Sequence, residues 1–347
     1  MKNLSLFLKN KKIAVLDQRY MEKFFEKKLP KYFSYFKKML SLRIDDRSST
    51  QFKKAIKYSI RYLDKSNNII KKSVRGNIPS LDTTYEAIIA NEVLKTLDKH
   101  GFNQGKLQVN KPIDYFPKLR MILYESYPGT PLTEFIRRKV PAINDHIKKS
   151  ARWLLKLHSY KLKIGKLKTY KREKDEARYF IMNFRKYYPE VVDKSKLILK
   201  KVLEIKKMIS PEIKKKAILI HGDYNPNNII INDFNIRKLA AIDFGNAWRF
   251  DPLADVANFL IQLELLFWQG MVMDKKYLEK LKRNFLAQYL KGLRGNKKKI
   301  IQRINLYQVW WAMQVTSYNV VIWPTYQAKK RIVRGLIPLA QRLLNKL

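Results

Sequence analysis

The sequence predicts an α+β fold of two lobes, a small antiparallel sheet followed by a larger, mostly helical part. Three observations carry that prediction. Across residues 39–74 apolar and aromatic side chains alternate with polar ones, as at Ile56, Tyr58, Ile60 and Tyr62, which is the period of a half-buried strand. From Ile143 onward the apolar spacing becomes that of an amphipathic helix, as at Ile147, Ala151, Leu154 and Leu155. Within the helical part lie three short aliphatic runs, 217–220, 229–231 and 239–242, each too brief for a helix and therefore read as a strand.

The elements follow in order. Residues 1–38 mix lysines with Phe24, Phe25, Tyr32, Phe33 and Phe36 and read as a basic helical extension that packs onto its own domain. A sheet lobe over 39–127 begins with strands at 39–44 and 53–63, and a third follows the turn at 64–68, at 69–74. A helix at 83–100 carries Ala87, Ala90, Leu94 and Leu97 on one face and stops at Gly101, the usual residue past a helix end. A further strand is expected at 119–123. The helical lobe spans 128–347, with helices at 143–160, within 170–213 and over 274–347; segment 232–235 has turn chemistry and joins two of the aliphatic runs as a hairpin.

At 347 residues, 46% of them hydrophobic, the chain can bury a substantial core and is not globally disordered. It has no cysteine, which excludes disulfides and thiolate metal sites and is compatible with the cytoplasm, the expected location. The apolar run at 4–8 is too short for a signal-peptide core, and polar residues interrupt 252–270 and 309–323, so both read as buried helices and not as membrane spans. The net charge of +44, spread along the whole chain, reads first as a compositional, solvated surface, with an anionic membrane surface or an anionic substrate as the alternative partners. Nucleic acid fits less well: lysine predominates over arginine, the better reader of bases and phosphates, and the lysines are spread along the chain.

The chemistry concentrates at 217–246, where Asp223, Asn228 and Asp243 fall at strand ends or in the adjoining loop. Phosphoryl transfer needs a carboxylate to accept a proton from the attacking hydroxyl and oxygen ligands for a Mg²⁺ that bridges the phosphates, and these three residues supply both.

His221-Gly222-Asp223, then Asn228, then Asp243-Phe244-Gly245, resembles the catalytic and metal loops of the protein-kinase-like superfamily. With Asn225-Pro226-Asn227-Asn228, and with Asp251-Pro252-Leu253-Ala254-Asp255 behind, it is similar to the aminoglycoside phosphotransferase and choline kinase branch. The resemblance implies that Asp223 is the catalytic base, that Asn228 and Asp243 ligate Mg²⁺, that His221 anchors the loop and that Asp255 caps it. It implies a phosphate-binding lysine on the third strand, for which Lys71 is chosen with Lys72 one register away. A helical glutamate should pair with it, Glu92 or alternatively Glu86. Ser48-Ser49-Thr50 stands where the superfamily has a glycine-rich phosphate loop, so Ser48 and Ser49 are expected at the phosphates, and main-chain atoms of Glu125 and Tyr127 at the nucleotide base. The implied activity transfers phosphate from ATP or GTP to a hydroxyl of a small molecule such as a sugar, an amino alcohol or an aminoglycoside. Only eleven residues separate Asp243 from Asp255, too few for a peptide-binding segment. The rival readings are an inert binding module of the same fold and a basic protein that binds membrane or nucleic acid.

Overall fold

The structure, a computed structural model, describes residues 14–49, 53–79 and 84–347. The chain divides after Pro128 into a sheet unit and a helical unit.

The sheet unit contains α1 (Gln18–Lys28), β1 (Phe36–Ser49), β2 (Lys53–Asp64), β3 (Ile69–Pro79), α2 (Thr84–Leu97), β4 (Leu107–Val109), β5 (Pro112–Phe116) and β6 (Met121–Glu125). Five strands pair antiparallel in the order β1-β2-β3-β6-β5. Alternation gives the sheet two faces. Ile56, Tyr58, Ile60, Val74, Ile78, Met121 and Leu123 form one face of a core that α1 covers with Met21 and Phe25. Tyr58 stands at its centre, edge-on to the Phe25 ring at 5.1 Å and donating its hydroxyl to the Val15 carbonyl at 2.9 Å. The described part of the basic N-terminal segment is thus the lid of the sheet, with Asp17 capping α1 through the Tyr20 N–H. Helix α2 packs against β3, β5 and β6; its buried Ala87, Ala90, Val93, Leu94 and Leu97 lie outside that core, as do Ile122 and Tyr124, the β6 residues of opposite parity.

The helical unit contains β7 (Thr130–Pro131), α3 (Leu132–Arg137), α4 (Ile143–Ser159), α5 (Tyr170–Tyr187), α6 (Val192–Lys216), β8 (Ile218–Ile220), β9 (Ile229–Ile231), β10 (Leu239–Ala241), β11 (Trp248–Phe250), α7 (Leu253–Trp268), α8 (Lys275–Leu290), α9 (Lys297–Ile322) and α10 (Tyr326–Leu344). Strand β9 pairs antiparallel with both β7 and β10, and β8 with β11. The run 252–270 is apolar on nearly all sides because α7 is buried on nearly all sides, by α8, α9 and α10. Side-chain caps start α5, α8, α9 and α10 at Thr169, Asp274, Asn296 and Thr325. Among the described residues one lysine is wholly inside: Lys206 pairs with Glu173, and its ammonium lies 4.0 Å from the Trp310 ring centre. Among the described residues, no helix is long and apolar enough to cross a membrane.

Candidate active site

The three aliphatic runs of the motif form β8, β9 and β10, and the polar residues occupy the loops that these strands deliver. His221 follows β8 and is fully buried. Its N–H donates to Asp255 Oδ2 at 2.7 Å, and Nε2 bonds the Ile242 carbonyl at 3.0 Å. That bond fixes the proton on Nε2 and leaves Nδ1 to accept the Asp223 N–H at 3.3 Å. Burial lowers the pKa of the ring, against the opposing pull of Asp255 and Asp243, so it serves as a neutral strut. Phe244, Tyr224 and Trp153 surround it with ring centres at 4.5, 5.5 and 6.3 Å.

Gly222 has φ +76°, and a Cβ there would overlap the Asn246 carbonyl oxygen, so only glycine fits. Its N–H donates to Asp255 Oδ1 at 2.9 Å. Asp255, fully buried in the first turn of α7, therefore accepts two consecutive backbone donors of the loop. It also accepts His158 Nε2 at 3.2 Å, and His158 Nδ1 in turn accepts the Tyr289 hydroxyl at 2.8 Å. The carboxylate thus ties the loop to α4 and α8.

Asp223 is half-buried, and amides hold both of its carboxylate oxygens. Asn225 Nδ2 donates to Oδ1 at 2.9 Å and Asn228 Nδ2 to Oδ2 at 3.1 Å; both also reach the Asp223 carbonyl, at 3.1 and 2.9 Å. Asn225 was given no role by the sequence reading. Its Oδ1 accepts the N–H groups of Asn227 and Asn228, closing a single turn that Pro226 starts, so it orients the Asp223 carboxylate and the turn together. With Nδ2 of Asn228 bound to Asp223, Oδ1 is the side-chain atom left to face a cation. The Asn228 carbonyl accepts the Ile242 N–H at 2.9 Å, which brings Asn228 beside the residue preceding Asp243. Asp243 is half-buried with φ +67°, a left-handed conformation of the kind stored at functional sites.

One carboxylate and one amide oxygen are hard donors, and Mg²⁺ is held in this way by one or two protein oxygens with substrate phosphates and water completing its shell. Among the described residues no three His, Asp or Glu side chains gather as a metal site, so these residues do not make an all-protein cage. The donor set fits Mg²⁺.

In the sheet unit the expected nucleotide residues separate. Lys72 points to the α1 face, where it pairs with Glu125 at 2.7 Å and lies over the Phe33 ring. Lys71, on the opposite face, is exposed. Glu92 is exposed on α2 and makes no ion pair among the described residues, so neither lysine is joined to it; Glu86 is half-buried in the first turn of that helix. The Glu125 N–H donates to the Lys111 carbonyl at 2.9 Å, and its carboxylate takes both Lys72 and Lys111, so this side chain has a structural task the hinge expectation did not give it. Tyr127 follows β6, half-buried. Ser48 and Ser49 end β1, paired with Ala55 and Lys54, and Thr50 lies outside the described residues. Arg75 was missed. It lies mid-strand on β3, half-buried, on the face it shares with Tyr124, and it makes no ion pair among the described residues. Strand parity would have found it: Val74 and Ile78 belong to the core, so 71, 73, 75 and 77 share the other face.

Residues 79–295 match the phosphotransferase enzyme family. None of the curated proteins matches the chain. Among solved structures, the choline kinase of Cryptosporidium parvum is similar over 95% of this chain and 97% of its own, with TM-score 0.63 and 13% identity. The choline kinase LicA of Streptococcus pneumoniae is similar over 94% and 100%, with TM-score 0.57 and 15% identity. An ADP-bound aminoglycoside phosphotransferase, APH(2'')-Ib, is similar over 91% and 97%, with TM-score 0.53 and 16% identity. At such identities the likeness is one of fold.

Proposed function

The chain belongs to the phosphotransferase enzyme family, and from that premise we propose that it transfers the terminal phosphoryl group of ATP or GTP to a hydroxyl of a small molecule with Mg²⁺. The observation that carries this reading is Asp223 held by two amides, one of them from Asn228, whose carbonyl is bonded to the residue before Asp243. In that arrangement Asp223 orients the acceptor hydroxyl and takes its proton as the acceptor oxygen bonds to phosphorus and the bond to the nucleoside diphosphate breaks. Asn228 and Asp243 would hold the metal, which supplies neutralisation of charge on the phosphates. Positioning and electrostatics account for the barrier reduction, and no covalent intermediate is required.

In the sheet unit we assign the phosphate-binding cation to Arg75 ahead of Lys71, on its half-buried position, the absence of an acidic partner among the described residues, and the engagement of Lys72 with Glu125. The base-binding role of Glu125 and Tyr127, and the phosphate role of Ser48 and Ser49, rest on the resemblance.

A small acceptor is supported by the span from Asp243 to Asp255, most of which a single turn at Phe244–Asn246, strand β11 and the start of α7 take up. A sugar, an amino alcohol or an aminoglycoside-like compound is the acceptor class. The solved relatives include kinases of choline and aminoglycosides, and one of them holds ADP. The test is a screen of such acceptors with radiolabelled ATP and GTP, run on the parent chain and on Asp223→Asn. The variant should lose about a thousandfold or more in turnover while still binding nucleotide; turnover equal to the parent would remove Asp223 from the reaction.

A further inference from the structure

The loop joining β9 to β10 carries an aromatic side chain into water. Phe234 is 88% exposed, and Ile236, two residues on, is 53% exposed. The loop is held firmly. Asn232 Oδ1 accepts the N–H groups of Phe234 and Asn235 at 3.0 and 2.9 Å, and the Asn232 N–H donates to the Lys238 carbonyl at 3.1 Å. The Lys238 N–H donates to the Asn235 carbonyl at 2.8 Å, and Asn235 Oδ1 accepts the Arg237 N–H at 3.1 Å. From outside, Thr130 donates to Asp233 at 2.9 Å and Lys149 Nζ to the Ile236 carbonyl at 3.0 Å. The exposure of Phe234 is therefore built in and is not fraying.

Turn chemistry at this position asks for small polar residues, which Asn232, Asp233 and Asn235 supply; a phenylalanine adds nothing to it. Arg237 and Lys238 flank the two apolar side chains and make no ion pair among the described residues. Exposed apolar side chains beside uncompensated cations match the boundary layer of an anionic bilayer, where rings enter the acyl region and cations stay at the phosphates. We propose that the β9–β10 tip is an anchor to an anionic lipid surface, with Phe234 and Ile236 inserting and Arg237 and Lys238 holding the headgroups. Apolar insertion and charge are each weak alone and suffice together for reversible attachment. Each strand of the hairpin has three residues, so Asn228 and Asp243 stand about 10 Å along the strands from this tip.

The absence of cysteine permits a single label. Phe234→Cys, carrying a polarity-sensitive fluorophore in the 347-residue chain, is compared with Met208→Cys, labelled at a site 72% exposed on α6. Vesicles of phosphatidylcholine alone and of phosphatidylcholine with phosphatidylglycerol are added to each. The label at 234 should brighten and shift blue with the mixed vesicles only, the label at 208 should not respond, and Phe234→Ser should weaken co-sedimentation at least about tenfold. Equal sedimentation of Phe234→Ser and parent, equal response at the two labels, or no vesicle binding at all would overturn the proposal. Brightening at 234 that follows protein concentration without vesicles would overturn it too, by assigning the tip to a second copy of the chain.

Discussion

Asp255→Asn isolates what one carboxylate does for the loop that carries His221, Gly222 and Asp223. Three donors converge on Asp255: the N–H groups of His221 and Gly222 and the imidazole of His158, at 2.7, 2.9 and 3.2 Å. Asparagine keeps the shape but has one acceptor oxygen. If that oxygen stays where Oδ2 now serves His221 and His158, the new amide nitrogen faces the Gly222 N–H, donor against donor. Leaving that N–H buried and unmet costs about 1–3 kcal/mol, and the two remaining bonds lose charge assistance worth about 1 kcal/mol each. Relief from burying a charge returns part of this, so the net loss should be about 2–4 kcal/mol. All six tryptophans lie after Pro128, so indole fluorescence during urea denaturation reports the helical unit alone. A lower midpoint at unchanged slope is expected. A variant within about 0.5 kcal/mol of the parent would refute the view that Asp255 is the loop's main fastening.

Three further outcomes follow from named contacts. Asp243→Ala should weaken Mg²⁺-dependent nucleotide binding at least about tenfold by calorimetry while metal-free binding changes little; equal affinities with metal would remove it as a ligand. Arg75→Met should raise the nucleotide dissociation constant about tenfold, Lys71→Met less, and Lys72→Met should act on stability through the Glu125 pair; an effect of Lys71→Met as large as that of Arg75→Met would reverse the assignment. His146 is buried on α4, and desolvation lowers its pKa from 6.5 to about 4. The folded state therefore binds this proton less readily than the unfolded chain, so its stability is full above about pH 6.5 and falls by about 3 kcal/mol as pH drops toward 4. His146→Asn should flatten that part of the denaturation profile between pH 4 and 6.5, and an unchanged profile would exclude His146 as its source.

How far the sequence could be read depended on whether the deciding partner was near in the chain. Strands β8, β9 and β10 were legible because short aliphatic runs bounded by turn residues have few alternatives, and the long helices because their apolar faces repeat over several turns. Strands β7 and β11 and the pairing of β5 were not, since two to five residues acquire strand geometry only from the neighbour they meet. The register of Lys71 and Lys72 was ambiguous from the doublet alone; the structure decides it through Glu125 and Phe33, which lie far from β3 in sequence. Burial of Lys206 was hidden for the same reason, as Glu173 and Trp310 come from two other helices.

The same dependence explains why the motif is compact in sequence while its support is not. His221, Asp223, Asn225 and Asn228 hydrogen-bond one another within a single loop, so local sequence is enough to suggest the chemistry. The loop's fixed position comes from elsewhere: Asp255 receives its two backbone donors, His158 on α4 holds Asp255 and is itself held by Tyr289 on α8, and Tyr224 reaches the Ser150 carbonyl on α4 at 2.8 Å. In the proposed reaction the Asp223 carboxylate must be aimed before the hydroxyl arrives, and the amides of Asn225 and Asn228 hold it in one orientation. On the proposed role of Asp223, substitutions at His158 or Tyr289, far along the chain from it, should therefore lower kcat more than they raise KM, because they loosen the aim of that carboxylate while leaving the proposed nucleotide-binding groups in place.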